Sequence, residues 1–267
     1  MEVCKLCRNE RELRSSHLMP KSAYRQVRDP EELGGGSPLR FHPDENEAFR
    51  TDRQVVARML CGDCEQLFSA RGESVVSRLW ATREGFPLLD KLSKCRSRLE
   101  LGEVGFFYPP DCVSQEISFA LYYFAASIVW RSNHWDWGRR GSPHKNSLGK
   151  LYEESFRSFL LSEESSIQNA RLLVTLNLNP DLNALFSFPS FNRAEGVGFH
   201  NFNVLGLSFS FVVGKSPPST IMRAFGRFGV PTLVVSADAL HRKDFHHIAQ
   251  AIRDIDVRGK RGLTSME

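Results

Sequence analysis

Two CxxC pairs constrain this chain more than any other feature. Cys4-Lys5-Leu6-Cys7 and Cys61-Gly62-Asp63-Cys64 are separated by 53 residues and hold four of the six cysteines. A CxxC knuckle sets two thiolates on one side of a tight turn, so each pair offers two corners of a tetrahedron. Two such pairs supply the four soft donors of a closed structural zinc site, where the metal keeps each sulfur deprotonated at neutral pH. The spacing therefore predicts one structural Zn²⁺ on Cys4, Cys7, Cys61 and Cys64. The alternatives are two coincidental pairs of buried thiols and, behind that, a redox dithiol, since neither pair sits in a thioredoxin-like βαβ context. A zinc with four thiolates has no open position, so any chemistry must come from other groups. Cys95 and Cys112 lack such spacing and read as ordinary small residues.

Composition supports metal over disulfides. The chain begins MEVCKLCRNE, with no apolar segment of the secretory kind, and its longest apolar run, Phe119 to Trp130, spans 12 residues. A bilayer needs about 20. The expectation is a soluble, cytoplasmic protein, and in a reducing compartment paired cysteines bind metal rather than each other. At 267 residues, 41% apolar and 25% charged, the chain can bury a sizeable core. That excludes a disordered chain, a collagen or a disulfide-stapled mini-protein. The net charge of +4 is only mildly basic. It fits an ordinary solvated surface better than a dedicated nucleic-acid footprint.

Texture divides the chain. Residues 1–100 are polar and rich in metal-ligand types, and residues 29–52, with the triplet Gly34–Gly36 and many acids, read as a long loop. Residues 113–132 are apolar nearly all round, which predicts a buried helix. A second helix is expected over 147–161. Between them lies a turn-rich connector with Trp135 and Trp137, and Trp130, Trp135 and Trp137 are interleaved with Arg131, Arg139 and Arg140. These can contact phosphates and stack bases, or simply be core tryptophans beside solvated arginines. Strand character follows at 171–178, 207–213 (alternating, period two) and 230–237. A last helix is expected over about 243–255, and His241, His246 and His247 fit its surface. The fold class is α+β, with residues 1–100 as a zinc-binding domain and 101–267 as a helical part followed by an antiparallel β-rich part.

Ten residues past Cys7 comes Ser16-His17-Leu18-Met19-Pro20-Lys21, and the second knuckle runs LCGDCEQLF. A His before two apolar residues and Pro, between two CxxC pairs, resembles the HNH endonuclease family. The wider string, down to ASIVWRS and YEESFRSFLL, is similar to a group of bacterial HNH-like proteins, some from phage-defence gene neighbourhoods. The resemblance implies a treble-clef or ββα-metal unit within residues 1–100. It implies His17 as the general base that activates water. It implies Glu65, in place of the family's final His or Asn, as a ligand for a catalytic Mg²⁺ or Mn²⁺. Lys21, Arg25 and Arg28, at helical spacing, would grip the phosphate backbone, of DNA rather than RNA. His42, Asp44, Glu45 and Asn46 offer further ligands, or are simply a polar loop.

The match departs from the family at three points: Ser16 replaces an acid, no Asn lies just before Cys61, and Glu65 is not the usual residue. Three readings follow. One is a metal-dependent nuclease, acting in defence. A second is a zinc-stabilised module that binds nucleic acid or protein without catalysis, with His17 as a structural histidine. A third is a nuclease that a partner or a second copy of the chain switches on, given a C-terminal region larger than a minimal ββα site requires.

Overall fold

The computed structural model describes residues 1–29, 35–42, 47–137, 145–162, 164–241 and 257–258. The N-terminal unit opens with β1 (Glu2–Val3) and β2 (Glu10–Arg11), an antiparallel pair that closes the first knuckle. β3 (Leu13–His17) leads into the short helix α1 (Lys21–Gln26). The stretch read as one long loop contains a hairpin instead, β4 (Leu39–His42) with β5 (Glu47–Arg50). β6 (Val56–Cys61) then pairs antiparallel with β3 and runs directly into α2 (Gly62–Phe68). A π-helical turn, Ser69–Glu73, and α3 (Ser74–Val76) prolong that helix, and α4 (Pro87–Ser93) follows.

β7 (Leu99–Glu100) and β8 (Gly105–Tyr108) come next. The two expected helices are α5 (Gln115–His134), capped by the Ser114 hydroxyl, and α6 (Gly149–Leu161). The expected strands are β9 (Ala170–Asn177), β12 (Leu207–Val213) and β13 (Thr232–Ala237), the last preceded by α7 (Ser219–Phe228). β10 (Ser190–Ala194) and β11 (Val197–Val204) complete a seven-stranded sheet of order β10-β11-β12-β9-β13-β8-β7. A last strand, β14 (Val257–Arg258), pairs with β5. The helix expected over 243–255, with His246 and His247, lies outside the described residues.

The sheet is mixed rather than antiparallel, because β13 runs parallel to β9. β12 lies on one side of β9, and α7 carries the chain across to the other side. Alternation along β9 sorts its side chains to two faces. Leu172, Val174 and Leu176 enter the main core, whereas Leu173 meets Phe225 and Leu233 under α7. α5 is buried at Ile117 and from Ala120 to Asn133 because it has neighbours on every side. It packs on the helix after Cys61, on α6, and on β9 and β12. One hydrophobic core thus runs from the knuckles through α5 to the sheet. Among the described residues no helix is long and apolar enough to cross a membrane.

Cys95 and Cys112 do not stay apart as ordinary small residues. They form a disulfide that joins the end of α4 to the approach to α5. Seventeen residues of separation carry no motif. The β7–β8 hairpin between them turns the chain back, and only that brings the two sulfurs together.

Candidate metal centre

The first knuckle is docked on β6 by a bulge. Register shifts between Arg14 and Ser15, so that Met59 has no partner on β3. Its carbonyl turns to accept the Lys5 amide at 2.9 Å. Two residues on, the Cys61 amide donates to Cys4 Sγ at 3.3 Å. The second knuckle lies at the junction of β6 and α2, so its two sulfurs face the first pair. The four Sγ atoms of Cys4, Cys7, Cys61 and Cys64 all lie within 4.8 Å of one another. Cys7 and Cys61 are 3.9 Å apart. A tetrahedral zinc with Zn–S bonds of about 2.3 Å separates its sulfurs by about 3.8 Å. The cluster can therefore hold a zinc ion.

Protonation points the same way. Burial pushes the Cys64 thiol far up, and the neighbouring Cys61 and Cys4 sulfurs push it further. Burial likewise raises Cys7. Burial raises Cys4 too, but backbone hydrogen bonds from Cys61, Cys7 and Leu6 outweigh it and bring that thiol below its ordinary value. A bound divalent cation would offset the burial that opposes ionisation of Cys7 and Cys64.

His17 sits at the far end of the hairpin, opposite Val56. Its Nε2 lies 2.7 Å from Gln54 Oε1. With the amide oxygen facing the ring, a neutral imidazole protonated at Nε2 satisfies this contact and leaves Nδ1 as an acceptor. The His17 carbonyl accepts from Arg131 of α5 at 2.6 Å, and the same guanidinium reaches Glu73 Oε1 at 2.6 Å. Arg131 is 1% exposed. It is a buried strut between hairpin and helix, not a phosphate ligand. Trp130 and Trp135 are buried too, and the half-buried Trp137 donates its indole N–H to the Ser132 carbonyl. These are core tryptophans, which removes the base-stacking reading for them. Arg139 and Arg140 lie outside the described residues.

Glu65 is half-buried on α2, and its Oε1 is fully enclosed without a hydrogen-bond partner. Ser16 is wholly buried, and its Oγ is likewise without a partner. Buried oxygens are normally satisfied by protein, water or an ion. Around His17 and Glu65, no group of three or more His, Cys, Asp or Glu ligand atoms gathers among the described residues. Among the described residues the one other such group is Cys95, Asp111 and Cys112, in which the two sulfurs are bonded to each other.

The basic trio does not form one helix face. Lys21 and Arg25 are exposed on α1, but α1 ends at Gln26. Arg28 lies beyond it, paired with Asp52 and donating to the Gly35 carbonyl. His42 is part of β4 and His241 of a 3-10 turn, while Asp44, Glu45 and Asn46 lie outside the described residues. Gln54 and Glu73 were missed from sequence. A search for Asn before Cys61 passes over Gln54, which carries the same amide one methylene further out. Nothing in the sequence links Glu73 to Arg131.

No protein-family model, curated protein or solved structure matches this chain.

Proposed function

We propose that the N-terminal unit is a zinc-clamped ββα hydrolase that cleaves nucleic-acid phosphodiesters, as the HNH resemblance implies. The reading is carried by the imidazole of His17, held by Gln54 at the end of β3, and by the buried, partnerless Oε1 of Glu65 on α2. Zinc on the four cysteines serves as scaffold, tying β6 and α2 to the first knuckle. Glu65 would hold Mg²⁺ or Mn²⁺, which supplies charge stabilisation to the phosphate and the leaving oxygen when bound. Gln54 fixes the His17 tautomer. His17 Nδ1 then takes a proton from the attacking water, a task suited to an imidazole near neutral pH. Lys21 and Arg25 offer exposed positive charge for the backbone of DNA. The test is incubation of the purified chain with supercoiled plasmid, and separately with RNA, under Mg²⁺ or Mn²⁺. Nicking that falls about 100-fold or more in His17→Ala is the expected result. Equal nicking by both proteins, or none by either with any metal, removes the proposal.

One observation favours a second reading, a zinc-stabilised binding module without catalysis. Ser16 stands where the family has an acid, and among the described residues no group of three or more His, Cys, Asp or Glu ligands includes Glu65. That module would bind DNA in a gel shift without cutting it and would show no second-metal site by calorimetry.

A further inference from the structure

A cleft of about 420 Å³ opens between the start of α6 and the far end of the sheet. Its volume is in the range that takes small organic ligands, about 300–1,000 Å³. Leu148, Leu151 and Tyr152 form one wall. Arg193 of β10, Lys215 just past β12 and the buried His200 of β11 line it from the sheet. The backbone keeps this space clear. A Cβ on Gly198 would stand 3.6 Å from His200 Nε2 and 3.0 Å from the Phe191 ring, on which the imidazole packs.

The charges on the rim are unspent. Arg193 and Lys215 are exposed, and neither side chain has an ion pair or hydrogen bond among the described residues. By contrast, Arg8, Arg28, Arg50, Arg58, Arg131 and Arg157 all hold carboxylates. Glu195, in the β10–β11 turn, also lines the cleft without a partner. Two free cations suit a dianionic head group, one carboxylate suits hydroxyl donors, and the leucine–tyrosine wall suits a flat body with apolar faces.

We propose that this cleft binds a nucleoside monophosphate or a closely similar phosphate ester. The phosphate lies between Arg193 and Lys215, the sugar hydroxyls donate to Glu195, and the base rests on Leu148, Leu151 and Tyr152. The site stands apart from the hairpin, so it does not depend on the nuclease reading.

Isothermal titration of the full chain with AMP, adenosine and inorganic phosphate tests the proposal. The expected result is saturable AMP binding, with adenosine and phosphate each at least tenfold weaker. The Arg193→Ala/Lys215→Ala double variant should lose at least tenfold in AMP affinity at an unchanged melting temperature, since neither side chain supports the fold. His17→Ala should bind AMP as the wild type does, whatever its effect on plasmid nicking. No saturable AMP binding, or full affinity in the double variant, overturns the site. Phosphate binding as tightly as AMP overturns the ligand class.

Discussion

Arg131 shows how one side chain can join two layers. Its guanidinium is buried, forks to the His17 carbonyl and the Glu73 carboxylate, and lies 5.2 Å from the Phe68 ring centroid. Only a planar, permanently charged fork meets both acceptors from one position. Arg131→Ala leaves a buried carbonyl and a largely buried carboxylate unpaired, so a loss of about 3 kcal/mol is expected in urea unfolding. Arg131→Lys should recover part of that loss, because it keeps the charge without the fork. A change under about 1 kcal/mol in the alanine variant would show that the strut carries little load.

At the scale of elements, the helix after Cys61 and α5 approach closely enough to touch backbones. A Cβ on Gly72 would stand 3.1 Å from Phe124 Cα, 3.2 Å from Phe124 N and 3.2 Å from Tyr123 Cδ1. The π-helical turn over Ser69–Glu73 presents that glycine to α5. Gly→Ala inside a free helix stabilises by about 1 kcal/mol. Here the sign should reverse, with Gly72→Ala destabilising by about 1–3 kcal/mol through overpacking against backbone that cannot move aside. Thermal or urea unfolding reads the sign directly, and a stabilised variant would mean the two elements are not held at this distance in solution. The same contact positions the strut, since Glu73 is the next residue and Arg131 lies two turns along α5 from Phe124.

For the whole molecule, the cysteine cluster joins the first knuckle to β6 and α2. Residues 1–11 contribute only two-residue strands, and their hold on the rest rests on the Cys4–Cys7 knuckle and its contacts with β6 and α6. The purified chain should carry one zinc per molecule by elemental analysis. Extraction with a strong chelator should lower the melting temperature and expose the knuckle to proteolysis, and Cys64→Ser should do the same without chelator. Zinc well below one equivalent, together with a melt that chelation leaves unchanged, would show that the fold does not depend on metal.

The elements that were legible from sequence are those whose pattern is local. The CxxC pairs declare a cluster because two thiols at that spacing have few other uses. The all-apolar run of α5 declares burial because no face of it tolerates water. The alternation Leu207, Phe209, Phe211 and Val213 declares a strand by its period of two. What depends on chain separation was decided only by the tertiary structure. The parallel β9–β13 pairing, the Cys95–Cys112 bond, the β4–β5 hairpin and the reach of Arg131 to His17 all join residues whose spacing carries no signal. Arg28 shows the same limit from the other side, since its helical spacing after Arg25 meant nothing once α1 ended at Gln26. The sequence by itself determined the cluster, the buried helix and the strand-rich end, because local chemistry suffices for each. Only the packing of α5 between hairpin and sheet decided which polar groups find partners and which, like Glu65 Oε1 and Ser16 Oγ, are left without one.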